Sequence, residues 1–136
     1  MKISTKGRYG LMLLVDLAQQ GSDSPISLKS IAERQKLSEH YLEQLIAPLR
    51  NAGFVRSIRG AYGGYVLAKN PQEIVVKDII LTLEGPITIV DEDFDDGLDA
   101  LWARLRKAIT DVLEDVTLQD LVEMRMGDEH GFMFYI

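Results

Sequence analysis

The chain is expected to be mainly α-helical with one small β-hairpin, and three features of its 136 residues point that way. Residues 27–52 place apolar side chains at helical spacing in two short runs parted by a tight turn. Residues 54–67 then alternate like two strands around a glycine-rich tip. Residues 98–116 carry a long helical stripe set apart from both. Two short helices meeting at a turn and followed directly by a hairpin make a winged helix-turn-helix, and the long helix behind it suits dimerisation.

Taken in order, Lys2 to Arg8 sets three basic side chains and two hydroxyls ahead of the first helix. Thr5 is the expected cap. A free helix N-terminus with Lys2, Lys6 and Arg8 nearby is a natural phosphate site. Tyr9 to Gln20 is apolar nearly all round, so this helix must be covered on several sides. Gly21 to Pro25 is the loop that ends it.

Ser27 caps the next helix, whose inner side carries Leu28, Ile31 and Ala32. The turn falls at Gln35-Lys36-Leu37. Lys36 stands where such turns usually hold glycine, and a left-handed residue costs a non-glycine about 1 kcal/mol. A slightly more open turn is therefore expected. Ser38 caps the recognition helix, with Tyr41 at its third position and Leu42, Leu45, Ile46 and Leu49 as its buried stripe. Ser38, His40, Tyr41, Glu43 and Gln44 occupy its first turns, which makes them the candidates for reading base edges. Pro48 removes one backbone bond to Gln44 and should kink or loosen the last turn.

Phe54 to Ile58 and Tyr65 to Leu67 are the strands, and Arg59-Gly60-Ala61-Tyr62-Gly63-Gly64 is a basic, aromatic tip. Arg59 favours narrow, negative minor grooves, Tyr62 can pack on sugar, and Gly63 and Gly64 permit close backbone approach. Ser27 and Arg50 join Lys2, Thr5, Lys6, Arg8 and the tip as backbone contacts. Asn70-Pro71 breaks the chain, and Val75 to Glu84 forms a short amphipathic helix ended by Gly85-Pro86.

The second part differs in charge. Residues 1–70 hold ten Lys/Arg and five Asp/Glu, or +5; residues 71–136 hold five and sixteen, or −11. The net charge of −6 thus conceals a basic half fit to face nucleic acid. Asp91, Asp93 and Asp95 have calcium-loop spacing, but Asp96 and Trp102 fill the glycine and bidentate-carboxylate positions, so a solvated acidic loop is expected. Leu98, Leu101, Trp102, Leu105, Ile109, Val112 and Val116 then form a stripe about 28 Å long, read as a dimer face. Thr117-Leu118-Gln119-Asp120 resembles a capping box opening one last helix. Residues 1–85 are accordingly expected to be the DNA-binding domain, and residues 86–136 an acidic loop, dimerisation helix and tail.

Composition excludes several classes. The chain has no cysteine, hence no disulfide, thiolate metal site or cysteine nucleophile. Its two histidines, His40 and His130, lack nucleophile or metal spacing, so no enzyme is expected. No apolar run is long enough to span a membrane and the N-terminus is no signal peptide, so a cytoplasmic protein is expected. A winged helix used only for protein contacts is the competing reading, and salt-dependent duplex binding separates the two.

Met1 to Gly10 (MKISTKGRYG), Leu42 to Leu45 (LEQL), Arg59 to Tyr65 (RGAYGGY) and Thr117 to Leu121 (TLQDL) together resemble the bacterial Rrf-type winged-helix regulators. Cluster-binding members of that group carry three cysteines in the segment occupied here by Pro86 to Leu98. Ser38 to Leu45, Pro48 to Gly53 and the terminal Met133 to Ile136 are most similar to the group's branch governing cysteine metabolism. The resemblance implies a dimeric repressor of sulfur-assimilation genes, bound to a palindromic operator, with no cofactor and with O-acetylserine thiol-lyase as partner. The tail Gly131 to Ile136 has two readings: docking on its own dimer, or offering Phe134, Tyr135 and the Ile136 carboxylate to that enzyme's active site. The alternative is a regulator of another pathway that senses a small molecule directly.

Overall fold

The computed structural model describes residues 2–21, 24–90 and 96–129. Among them run α1 (Thr5–Gln20), α2 (Leu28–Gln35), α3 (Glu39–Asn51), β1 (Val55–Ile58), β2 (Gly64–Leu67), α4 (Val76–Glu84), α5 (Asp99–Asp115) and α6 (Leu118–Glu129), with a 3₁₀ turn at Pro71–Glu73. The acidic residues 91–95 and the tail from His130 onward lie outside the described residues.

The first helix starts four residues earlier than its apolar run. Ser4, not Thr5, is the cap, its hydroxyl accepting the Gly7 amide at 3.3 Å. The apolar run, with Leu13, Leu14 and Leu17 almost wholly buried, is the spine of the core. Around it pack α2, α3, α4 and α6. Gly7 and Gly10 let α4 come close, since a β-carbon at either would collide with Glu84 or Leu83.

The helix-turn-helix closes through local bonds. Ser27 and Ser38 accept the Ser30 and Tyr41 amides at 3.1 and 3.3 Å, as their sequence positions suggest. Lys36 adopts φ 57° and ψ 47°, so the turn is not opened. Its amide and that of Leu37 both reach the Ala32 carbonyl, the second at 2.9 Å, and these bonds offset the left-handed strain. The recognition helix continues through Pro48 to Asn51, with Leu49 fully buried on the core side.

β1 and β2 pair antiparallel, Val55 opposite Leu67 and Ile58 opposite Gly64. Ile26 adds an unforeseen third rung: its amide donates to Tyr65 O at 3.0 Å and its carbonyl accepts from Tyr65 N at 2.8 Å. A second clip joins the start of α4 to that of α6, where Val76 N donates to Val116 O and Leu118 N to Ile74 O, both at 2.8 Å. The capping box forms as written. Asp120 takes the Thr117 amide at 2.9 Å, and the Thr117 hydroxyl takes the Asp120 amide at 3.2 Å. α6 then sinks Leu118 and Val122 into the common core.

Among the described residues, one charged side chain is fully buried. Asp16 on α1 is completely buried and accepts Arg34 Nη2 at 2.7 Å, Arg34 Nε at 3.0 Å and Gln35 Nε2 at 2.8 Å. The hydrogen bond to Asp16 raises the Arg34 pKa, which keeps the guanidinium charged. Because the Arg34 side chain is itself 36% exposed, its removal should cost less than breaking a fully buried pair. Arg34→Ala should lower unfolding free energy by about 2–3 kcal/mol, read from the urea midpoint.

Candidate nucleic-acid interface

The exposed side of α3 begins with a polar cluster. Imidazole Nδ1 of His40 lies 3.9 Å from Glu43 Oε2, and the Gln44 amide lies 3.4 Å from His40 Nε2. The structure brings these three side chains together in solvent, clear of the core. Ser38 and Tyr41 differ from them. The Ser38 hydroxyl is engaged in capping, and Tyr41 is half-buried, its ring edge-on to Tyr9 at 5.6 Å between centroids. Tyr9 therefore fixes the first turn of α1 beside the first turn of α3.

Lys6 and Arg8, near Tyr9 in the opening turns of α1, are exposed. Lys2 and Thr5 are exposed as well. The helix end itself is not free. The Glu84 carboxylate accepts Ser4 N at 3.0 Å, Gly7 N at 3.1 Å and the Ser4 hydroxyl. An anion from α4 thus already holds the place expected for a phosphate.

At the wing, Arg59 and Tyr62 stand in solvent, Tyr62 at 94% exposure. A cleft of about 580 Å³ separates the tip from the start of α2, lined in part by Ser27, Ser30, Arg34, Tyr62 and Gly63. Ser27 and the tip therefore share one side of the molecule, while Arg50 is exposed in the last turn of α3. The tip glycines have an internal reason to be glycine. A β-carbon on Gly63 would strike the Ile58 carbonyl, and one on Gly64, at φ 157°, would strike the Ile26 backbone. They shape the wing whether or not anything approaches it. Tyr9 and Arg56 escaped the sequence reading. Tyr9 reads as the start of an apolar run, whereas Arg56, exposed on β1 three residues before Arg59, is flagged only by strand alternation.

No residue of α5 is fully buried. Leu98, Leu101, Leu105 and Val112 are 49, 46, 40 and 63% exposed, while Trp102, Ile109 and Val116 are half-buried. Among the described residues no helix is long and apolar enough to cross a membrane.

The fold and its exposed polar and basic elements define a winged helix-turn-helix regulator of transcription, a class that is not enzymatic. A family model, Rrf2, described as an iron-dependent transcriptional regulator, matches residues 3–124, and the chain belongs to the Rrf2 family. It is 55% identical to the HTH-type transcriptional regulator CymR of Bacillus subtilis (strain 168), over 100% of both chains. The structure of CymR (YrzC), the global cysteine regulator of B. subtilis, superposes with a TM-score of 0.83 at 55% identity, over 91% of this chain and 98% of that one. T. potens IscR superposes with a TM-score of 0.79 at 51% identity, over 92% and 88%. The family description names iron, but thiolate-held iron does not fit a chain without cysteine.

The two elements of the face should separate by substitution. Arg59→Ala should weaken duplex binding by roughly 1–3 kcal/mol, whereas Glu43→Ala should relax sequence preference with binding retained. Fluorescence anisotropy on a panel of duplexes reads both. Uniform weakening across the panel by Glu43→Ala would remove that residue from base discrimination.

Proposed function

We propose that this chain is a dimeric, DNA-binding repressor of cysteine and sulfur metabolism genes, working without an iron–sulfur cluster and modulated by O-acetylserine thiol-lyase. The observation that carries this reading is identity of 55% with CymR along all of both chains. Residues 1–85 are the DNA-reading part, and residues 86–136 supply the dimer helix and the tail. In a dimer, each α3 enters the major groove of one half of a palindrome, with His40, Glu43 and Gln44 toward the bases and Ser38 and Tyr41 setting the helix end. Lys2, Thr5, Lys6, Arg8, Ser27 and Arg50 meet phosphates, and Arg59 and Tyr62 carry the wing to the neighbouring minor groove. Sequencing genomic fragments retained by the purified protein tests this. Palindromes upstream of sulfur-assimilation genes are expected, unrelated promoters would overturn the pathway, and failure to retain DNA would overturn the class of ligand.

The exposed edge of α5 supports assembly, since Leu101, Leu105 and Val112 remain 46, 40 and 63% exposed within the described chain. An isologous pairing of two copies would cover both edges at once and match the symmetry of a palindrome. Replacing Leu105 and Ile109 by Asp would bury unpaired charge there. The variant should sediment as a monomer and lose operator binding. A folded dimer would place the interface elsewhere.

The partner reading rests on the composition of the tail: Phe134, Tyr135 and Ile136 are the segment that would enter the active site of O-acetylserine thiol-lyase, which must bind an amino acid. Free O-acetylserine then competes with the tail, linking sulfur supply to repression by mass action. Deleting Ile136 should leave the intrinsic DNA affinity of the dimer intact and abolish its binding to the enzyme in calorimetric titration. Enzyme binding at full strength would return the tail to the dimer's own core.

A further inference from the structure

We propose that Arg125, on α6, is a positioning residue for DNA recognition, acting through Gln35 and Asp16 on the turn of the helix-turn-helix. The inference rests on the DNA-binding reading above and deepens it by naming a group outside the interface that sets the interface's geometry.

Arg125 Nη1 donates to Gln35 Oε1 at 2.8 Å, a contact spanning 90 positions of sequence. The other end of the same amide donates from Nε2 to Asp16 Oδ2 at 2.8 Å. Gln35 is thus held from two sides, by the spine of the core and by α6. It is also the last residue of α2. The next residue is Lys36, the described non-glycine residue with positive φ, and two residues later Ser38 starts the recognition helix. Any shift of the Gln35 side chain is therefore delivered at the joint that fixes α3 relative to α2.

The α6 end of the contact is well anchored. Leu118 and Val122 are buried in the common core, and the Val75–Thr117 clip ties the start of α6 to α4. α6 also follows directly on α5 and leads to the tail. Arg125 is accordingly where the arm that assembles the protein touches the part that reads DNA. A neutral amide as its acceptor suits such a coupling element, because the bond is strong enough to orient Gln35 yet leaves no buried charge when released. Coupling of this kind is a free energy shared between two sites, and it runs both ways.

The test uses the full-length protein, a duplex recovered by genomic selection and a scrambled duplex of equal length. Arg125→Met keeps the stem and removes the donors. Selected-duplex affinity should fall roughly two- to thirtyfold, with scrambled-duplex affinity and sedimenting mass unchanged. Arg125→Lys, which retains a charged donor group, should recover part of the loss. In a double-mutant cycle, adding Arg125→Met to Gln35→Met should cost less than on the wild-type background. If Arg125→Met fails to fold, Arg125→Lys takes its place in the cycle with the same expectation. Unchanged selected-duplex affinity, equal losses on both duplexes, or strictly additive effects would overturn the role of Arg125. Absence of binding by the wild-type protein to either duplex would instead overturn the DNA-binding reading itself.

Discussion

Asp16 is the constraint around which the reading head is arranged. A carboxylate with no exposure pays a desolvation cost of several kcal/mol unless donors surround it. Arg34 and Gln35, adjacent at the end of α2, supply three hydrogen bonds to it. Those bonds leave α2 little freedom to slide along α1. They also explain how Lys36 tolerates a left-handed backbone in the very next position. A strain of about 1 kcal/mol is small beside charge-assisted bonds worth about 1.5–3 kcal/mol each. The turn angle is thus set by the residues before it, not by a glycine within it.

A second carboxylate settles the other end of α1. Glu84 satisfies the Ser4 and Gly7 amides, and its negative charge complements the helix dipole there. Gly7 and Gly10 make room for Glu84 and Leu83 respectively, so one face of small residues lets α4 lie against the first two turns. Tyr9, between those glycines, is left to meet Tyr41. The opening turns of α1 are therefore fixed from both sides, by α4 through Glu84 and by α3 through Tyr41. Their exposed cations gain a defined place without being buried themselves.

What could be read from sequence was local. The caps at Ser27 and Ser38 and the box at Thr117 and Asp120 declare themselves within four residues, because a side-chain oxygen reaches only the next turn. Helical spacing likewise marked the core faces of α2 and α3, and the bounds of α4 to within one residue. What could not be read was decided at long range. Ser4 and Thr5 are chemically alike as caps, and the choice between them goes with a carboxylate 80 positions away. The Ile26 rung rests on two backbone bonds that leave no periodic trace. Asp16, inside an apolar run, carries no local signal of burial, and only the tertiary packing encloses it. At the interface, spacing identified the exposed turn of α3, but not that Tyr41 is half withdrawn against Tyr9 or that the tip glycines answer to Ile26 and Ile58.

The acidic half follows a different logic from the basic one. Its ion pairs, Lys107 with Asp111 at 2.7 Å and Lys77 with Glu114 at 3.6 Å, are exposed and contribute little to stability. α5 is held instead at its far end, where Val116 and Thr117 clip to α4 and Leu118 enters the core. Glu84 and Asp120 apart, which cap helices, little of the negative charge on the described part of residues 71–136 is engaged in holding the fold. It remains available as a field, with five positive charges in excess over residues 1–70 and eleven negative over the rest. Near a polyanion such a chain favours orientations that bring residues 1–70 toward the phosphates, which attract net positive charge and repel net negative charge within a Debye length of about 8–10 Å. Net negative charge is therefore compatible with approach to DNA. It restricts the orientations from which that approach succeeds.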